Sequence, residues 1–258
     1  MGERLSELVS GIRGIPRLIG VNLLCFVVCL PLLSWFYLVF NTYINAGLGG
    51  EMVDFLPGIG YFAGLLLRLP PVLFYGLFLL SAALAGPFLL GLHFMAGRLI
   101  QKDEIVFSDF LTQTKKHLLR GFFLGLFSTV LIHFLLWNMF FGMTGANPWI
   151  SFALIASRWV SIGVLALLFL ILPFVCQMLA FTQLSLWAAL KNAMILARVY
   201  LGRGLFALFC ILLYWWLTIM AFPMAALLAL PLLSFSLTAL LQTAVCWPLI
   251  EKHVLHDT

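Results

Sequence analysis

The most informative shortage in this sequence is charge. Only 9% of its 258 residues are Asp, Glu, Lys or Arg, whereas 64% are hydrophobic, and the mean hydropathy is +1.14. Soluble domains carry about 25% charged residues, so this chain has too little polar surface to fold in water. The bilayer is therefore its solvent, and we expect a single integral membrane domain over residues 1–258.

Motifs of catalytic and cofactor chemistry are also lacking. The sequence has no glycine-rich phosphate loop, no HExxH zinc motif and no GxSxG nucleophile elbow. Its five cysteines form no CxxC pair and lie within apolar runs, which is typical of small core side chains and not of a disulfide framework or metal site. We therefore predict a non-enzymatic protein without a cofactor or metal.

Long apolar runs are abundant, and they predict six transmembrane helices, because a helix needs about 20 apolar residues to cross a bilayer. The last run, residues 205–250, carries no charge and is long enough for two spans. The loop at residues 41–71 contains Asn41 and several Gly and Pro residues, which we expect to interrupt any long helix. The predicted fold is an all-α polytopic bundle with spans over residues 16–40, 72–100, 121–143, 151–181, 203–224 and 228–250.

The distribution of positive charge predicts the orientation of the bundle. With the N-terminus inside, twelve of the fourteen Lys and Arg residues lie in cytoplasmic segments, and only Arg68 and Arg158 lie outside. Since basic loops stay in the cytoplasm, we expect a multi-pass protein with both termini cytoplasmic. The net charge of +5 then reflects topology and contact with anionic lipid headgroups, not nucleic-acid binding.

Two segments between the spans have the pattern of short amphipathic helices on the cytoplasmic membrane surface. Ser108 is the predicted N-cap of the first, and Ser185 is that of the second. Gly202 and Gly204 are predicted to mark the end of the second helix. The predicted apolar faces consist of Phe107, Phe110, Leu111 and Leu118 in the first helix and of Leu186, Ala189, Leu190 and Ala193 in the second.

These surface helices are the candidate docking face for a partner protein, because both are capped and basic and both lie on the same predicted side. The candidate docking residues are Asp109, Phe110, Lys115, Lys116, Lys191 and Arg198. The alternative is that the helices contact only lipid and that their basic side chains reach toward the headgroups.

Residues 86–127 and 171–210 share a plan in which a span, a Ser-capped surface helix and a Gly-marked re-entry lead into another span. Both units enter and leave on the cytoplasmic side, so this would be a parallel internal repeat of the kind found in many transporters. The alternative is convergence, since any cytoplasmic connection between spans needs a cap and basic residues.

Polar side chains inside the apolar spans form a second group of candidates, because an unpaired polar group is costly in lipid. They are Asn22, His133, Asn138, Gln177 and Gln242. Gln177 and Gln242 are candidates for an interhelical hydrogen bond, whereas His133 has either a functional role or a neutral ring bonded to a neighbouring helix. We expect His93, toward the cytoplasmic end of its span, to reach the headgroups.

Gly121 and Gly125 form a GxxxG motif at the start of the third predicted span. Small residues at this spacing let two membrane helices approach closely. Because glycine is frequent in this chain, with 21 residues, we interpret the motif as a contact within the chain in preference to a dimer interface.

A family resemblance is carried by RLIGVNLLCFVVCLPL near the start together with GPFLLGLHFMAGRLIQKDEIVFSDFLTQTKKHLLRGFFLGLF. This combination resembles the YesL-like family of bacterial integral membrane proteins, a domain of unknown function. The later ALKNAMILARVYLG, residues 189–202, is similar to that family's C-terminal motif. The matching positions in the first two stretches are Asn22, Gly86, Pro87, Arg98, Glu104, Asp109 and Phe110.

Members of that family are commonly encoded beside carbohydrate-uptake ABC transporters. The resemblance therefore implies a bacterial plasma-membrane protein with an accessory or regulatory role in sugar import and with ABC transporter subunits as partners. It supplies no catalytic residues. The alternative is a stand-alone small-solute permease or channel, suggested by the repeat and by Pro31, Pro87 and Pro173 within the spans. A membrane enzyme is the third hypothesis.

Overall fold

The computed structural model describes residues 18–47, 63–101, 106–140, 148–217, 232 and 234–252, and all regular secondary structure in these ranges is helical. A single helical turn occupies residues 63–67. The longer helices are α1 (Ile19–Gly47), α2 (Pro71–Ile100), α3 (Phe107–Lys116), α4 (Leu118–Phe140), α5 (Pro148–Phe181), α6 (Leu186–Val199), α7 (Leu201–Trp216) and α8 (Phe235–Ile250).

The first four predicted spans are confirmed as helices that are long and apolar enough to cross a bilayer. They are Ile19–Leu38, Pro71–Ile100, Leu118–Met139 and Phe152–Phe181. The described residues contain four such helices, or five if the bent pair α6 and α7 forms one span. Several long apolar helices in one chain are the architecture of a multi-pass membrane protein.

The predicted fifth and sixth spans are described only in part. Helix α7 begins the fifth and α8 ends the sixth, and each has 16 residues. Residues 218–231 and 233 lie outside the described ranges, so the turn between these two spans stays a prediction.

Two predicted helix breaks are wrong. Helix α1 runs through Asn41 to Gly47, because one Asn in a long apolar helix costs less than about 0.7 kcal/mol. Gly202 and Gly204 lie within the first turn of α7, and the chain bends by 94° between α6 and α7 at Tyr200. The other predicted breakers, at residues 49–60, lie outside the described ranges.

Helix α2 is the centre of the bundle, since it packs against α1, α3, α4, α5 and α8. It approaches α4 most closely at Gly86, where an added Cβ would overlap the backbone carbonyl of Gly121 and the backbone nitrogen of Gly125. A Cβ on Gly121 would in turn meet the backbone of Pro87 at 2.5 Å. The GxxxG motif is therefore confirmed as a contact within the chain.

Candidate functional site

The first surface helix, α3, is held to the bundle from one side. Phe110 is fully buried in an apolar cluster formed with α1, α2 and α8, and its ring meets the Phe88 ring edge-on at 5.7 Å between centroids. Arg98, in the last turn of α2, pairs with Asp109 at 3.3 Å. These contacts fix α3 across the end of the central helix.

Asp109 also organises the start of α3, where the predicted cap is wrong. The helix begins at Phe107, with Val106 and not Ser108 at the N-cap position. The Asp109 carboxylate accepts a hydrogen bond of 3.4 Å from the backbone N–H of Val106. A carboxylate in the first turn satisfies free N–H groups and complements the helix dipole, so Asp109 replaces the expected serine cap.

The predicted apolar face of α3 is divided in the structure: Phe110 packs into the protein core, whereas Phe107, Leu111 and Leu118 are exposed on the outside of the protein. The inner face consists of Phe110, Thr114 and His117, which recur every three to four residues. Among the described residues, neither the Thr114 hydroxyl nor either ring nitrogen of His117 has a hydrogen-bond partner. Polar residues on this face were not identifiable from sequence, because helical spacing alone does not show which face packs inward.

The second surface helix, α6, matches its prediction closely. The Ser185 hydroxyl accepts a hydrogen bond of 3.3 Å from the backbone N–H of Ala188, so the predicted N-cap is confirmed. Ala189 and Ala193 are fully buried against α5, and Leu186 and Leu190 pack on the same cluster. Small residues on this face let α6 lie close to the bundle.

The basic candidate residues lie on the outer faces of the two surface helices. Lys115 and Lys116 are exposed in the last turn of α3, and Lys191 and Arg198 are exposed on α6. Helix α3 packs against α2 and α1, whereas α6 packs against α5 and α7. Of the six docking candidates, Asp109 and Phe110 thus position a helix, and the four basic residues are available to a partner.

A polar cluster inside the bundle joins three helices. The Gln177 amide on α5 donates to Nδ1 of His93 on α2 at 2.9 Å and to the Thr243 hydroxyl on α8. Thr243 itself donates to the carbonyl of Ala239 at 2.7 Å. All of these side chains are buried, with His93 only 3% exposed, so the expectation that His93 reaches the headgroups is wrong.

The same cluster shows whether Gln177 and Gln242 form the predicted interhelical hydrogen bond. Both N–H groups of the Gln177 amide are directed at His93 and Thr243, and its carbonyl oxygen has no partner. Gln242 lies elsewhere, in the wall of a cavity between α5, α7 and α8. The two glutamines therefore do not bond to each other.

Asn22 links the first and last helices of the bundle. Its side-chain oxygen accepts a hydrogen bond of 2.6 Å from the backbone N–H of Ser236 in the first turn of α8. N–H groups in a first turn have no partner within their own helix. Asn22 thus caps a helix that lies more than 200 residues away in the sequence.

His133 bonds to a neighbouring helix, which was one of the two interpretations of this residue from the sequence. Trp35 Nε1 on α1 donates to His133 Nδ1 on α4 at 2.9 Å, which requires the neutral ring to carry its proton on Nε2. Trp35 also packs against Phe74 and Phe78 of α2, each at 5.3 Å between centroids. The ring therefore belongs to an aromatic cluster between α1, α2 and α4.

Asn138 connects α4 with α5. Its amide donates to the Ser161 hydroxyl at 2.7 Å and to the Ser157 carbonyl at 3.3 Å, and the Ser157 hydroxyl returns a bond of 3.4 Å to its side-chain oxygen. Each intramembrane candidate except Gln242 thus has an identified interhelical partner. Of these candidates, Gln177 keeps a buried carbonyl oxygen that has no hydrogen-bond partner among the described residues.

The described residues offer no obvious centre for metal or thiol chemistry. Among them, no group of three or more His, Cys, Asp or Glu side chains is placed to hold a metal ion. All five cysteines are free thiols, and four of them are buried.

Comparison with known proteins adds no assignment. No protein-family model matches the chain, and no curated protein or solved structure matches it significantly. The two features with functional potential are the basic faces of α3 and α6 and the buried polar cluster.

Proposed function

We propose that the protein is a non-enzymatic accessory or regulatory component of a bacterial carbohydrate ABC uptake system, and that α3 and α6 dock against a transporter subunit. The observation that carries this proposal is that the two sides of α3 have different roles. Phe110 and Asp109 attach the helix to the bundle, while Lys115 and Lys116 are exposed. A helix that is fixed from inside presents its outer charges in one orientation, which favours specific contact.

The architecture that accompanies this proposal is a six-span bundle in the bacterial plasma membrane with both termini in the cytoplasm. The 94° bend at Tyr200 supports a surface position for α6, because a helix perpendicular to a spanning helix runs along the membrane plane. The distribution of Lys and Arg supports a cytoplasmic position for both surface helices.

A parallel internal repeat is part of the same proposal. Helices α2, α3 and α4 have the order long helix, short surface helix and long helix, and α5, α6 and α7 repeat it. In each unit a single residue, His117 or Tyr200, separates the surface helix from the next helix. This equivalence supports repetition, and it would give the protein two related docking helices.

The test is charge reversal on the docking face. Because buried or rim charge complementarity governs specific association, we expect Lys115→Glu combined with Lys116→Glu to reduce co-purification of ABC transporter subunits from native membranes at least about tenfold, a loss of about 1.4 kcal/mol. Lys191→Glu combined with Arg198→Glu tests α6 in the same way.

The matched control is Lys252→Glu, which reverses an exposed charge that lies beyond the end of α8 and on neither surface helix. All variants should reach the membrane in equal amounts. Unchanged recovery of transporter subunits with both double variants would refute docking and leave lipid contact as the role of these helices.

A second candidate function is a stand-alone permease or channel for a small solute, and one observation favours it. Polar groups at the centre of a membrane bundle commonly mark solute or ion pathways, and the free carbonyl of buried Gln177 is an acceptor for a passing donor. Liposomes containing only this protein separate the two functions. Solute flux that disappears in Gln177→Leu supports the permease, and absence of flux supports the accessory role.

A further inference from the structure

An apolar cavity of about 340 Å³ lies between α5, α7 and α8. It exists because α7 packs loosely, with no buried residue along its length. Most of the wall is hydrocarbon, and Pro173, Phe174 and Leu208 are among its residues. The indole of Trp215 also lines the cavity, and its N–H is satisfied by the Thr238 hydroxyl at 3.1 Å.

A second cavity, of about 300 Å³, adjoins the first at Val245, which lines both. It lies at the first turn of α7, where Gly202 and Arg203 meet Pro248 of α8. The two neighbouring cavities therefore offer an apolar space between the helices and a cationic one at the start of α7. The dipole of α7 adds positive potential at the same end.

Arg203 supplies the cationic part. Its guanidinium carbon lies 5.7 Å from the centroid of the Tyr200 ring, and its side chain is exposed. A guanidinium offers several N–H donors in a planar fork that matches a phosphate group. The charge of this end thus favours an anion.

We infer that these two neighbouring cavities bind one anionic phospholipid of the surrounding bilayer, with an acyl chain between α5, α7 and α8 and its phosphate at Arg203. Hydrocarbon walls within a membrane are filled by lipid chains, which lose no hydration there. A free phosphate ion would use Arg203 but not the apolar cavity, and an uncharged lipid would use the cavity but not Arg203. An anionic phospholipid is the ligand that uses both parts.

The experiment uses the full chain in nanodiscs of phosphatidylcholine, with an increasing fraction of phosphatidylglycerol whose acyl chains are brominated. Bromine quenches tryptophan fluorescence on contact, and the difference between the wild type and Trp215→Phe isolates the signal of Trp215 in the cavity wall. We expect saturable quenching by brominated phosphatidylglycerol at a mole fraction well below that needed for brominated phosphatidylcholine.

Three variants locate the two parts of the ligand. Arg203→Gln should reduce the preference for phosphatidylglycerol about tenfold, as expected for loss of a charge-assisted hydrogen bond. Arg68→Gln is the matched control, because this exposed arginine before α2 does not line either cavity, and it should retain the preference. Ala207→Phe should fill the cavity and abolish Trp215 quenching by either lipid, and Leu212→Phe is a second filling variant if the first fails to fold.

Several results would overturn the inference. They include equal quenching by the two lipids in the wild type, an unchanged preference in Arg203→Gln, an equal loss in Arg68→Gln, and undiminished quenching in a folded cavity-filling variant. Displacement of the lipid by inorganic phosphate would also overturn it, because it would assign Arg203 to a soluble anion.

Discussion

Gly121 and Gly86 lie where α4 and α2 touch through their backbones, so a single methyl group at this contact must move a helix. A Cβ on Gly121 would meet the Pro87 backbone at 2.5 Å, whereas a Cβ on Gly163 has no atom within 4 Å. We expect Gly121→Ala to lower the free energy of unfolding by about 1–3 kcal/mol through overpacking. Gly163→Ala should leave it unchanged or raise it by up to about 1 kcal/mol.

Denaturant titration in detergent micelles measures both free energies. The two variants make the same chemical change in two spanning helices, so the comparison removes the general effect of helix propensity. Equal effects of the two substitutions would contradict the close backbone contact between α2 and α4.

The hydrogen bond between Gln177 and Thr243 should contribute little stability for its degree of burial. Interhelical hydrogen bonds in membrane proteins average about 0.6 kcal/mol. A double-mutant cycle with Gln177→Leu and Thr243→Val should therefore give a coupling energy of about 0.6 kcal/mol, measured by unfolding in micelles. A coupling near zero would show that the two side chains do not bond, whereas a value above about 2 kcal/mol would indicate a cooperative cluster with His93.

The close contact at the glycines was predictable from the sequence, whereas the hydrogen-bond partners of the glutamines were not. This difference has a physical reason. The close approach at Gly121 depends on the size of residues four apart on one helix, which the sequence states directly. The partners of Gln177 depend on which helices are neighbours, and this is decided by packing over the whole chain. For that reason Asn22, His133 and Asn138 were identifiable as intramembrane polar residues, but Ser236, Trp35 and Ser161 were not identifiable as their partners.

At the scale of elements, both short helices were predictable, but only α6 begins at its predicted N-cap. Ser185 caps α6 as its sequence suggests. In α3, Asp109 takes the place of the expected serine cap, because its carboxylate accepts a hydrogen bond from the backbone N–H of Val106 and pairs with Arg98. That arrangement depends on the end of α2, so a local cap motif could not reveal it.

His117 makes the junction of α3 and α4 sensitive to acid. Burial lowers the pKa of its imidazole below the ordinary value of 6.5, and the charges of Lys116 and Arg120 lower it further. Above pH 6.5 the ring is neutral in folded and unfolded protein, so it has no effect. As the pH falls below 6.5, the unfolded chain gains a proton first, and the folded state is destabilised until the pH passes the folded pKa.

We therefore expect the thermal midpoint of the wild type to fall more between pH 7 and pH 5 than that of His117→Leu. Measuring the two proteins in the same detergent and buffers cancels the titration of the other histidines. Parallel curves for the two proteins would show that His117 takes up its proton in the folded state as easily as in the unfolded state.

At the scale of the whole molecule, the lengths of the apolar runs and the positions of the charged residues predict different features of the architecture. Length alone predicts the four long helices, because about 20 apolar residues are needed to cross a bilayer. The orientation and the fifth and sixth spans rest on charge and on the uncharged run at residues 205–250. Helices α7 and α8, at 16 residues each, are compatible with two spans that extend toward each other.

Cysteine labelling in intact cells tests this topology. In a variant without native cysteines, Arg68→Cys, Lys115→Cys and Thr258→Cys are introduced one at a time and exposed to a membrane-impermeant maleimide. Because basic segments remain cytoplasmic, we expect residue 68 to react in intact cells, and residues 115 and 258 to react only after permeabilisation. The permeabilised sample controls for the reactivity of each site.

Each deviation from this pattern identifies a different error. Reaction at residue 258 in intact cells would place the C-terminus outside, which requires an odd number of spans. Residues 205–250 would then form one span instead of two. Reaction at residue 115 in intact cells would place α3 outside and remove it from any cytoplasmic transporter subunit, which refutes the docking proposal. Protection of residue 68 until permeabilisation would place the connection between α1 and α2 in the cytoplasm, so that α1 either places the N-terminus outside or does not cross the bilayer.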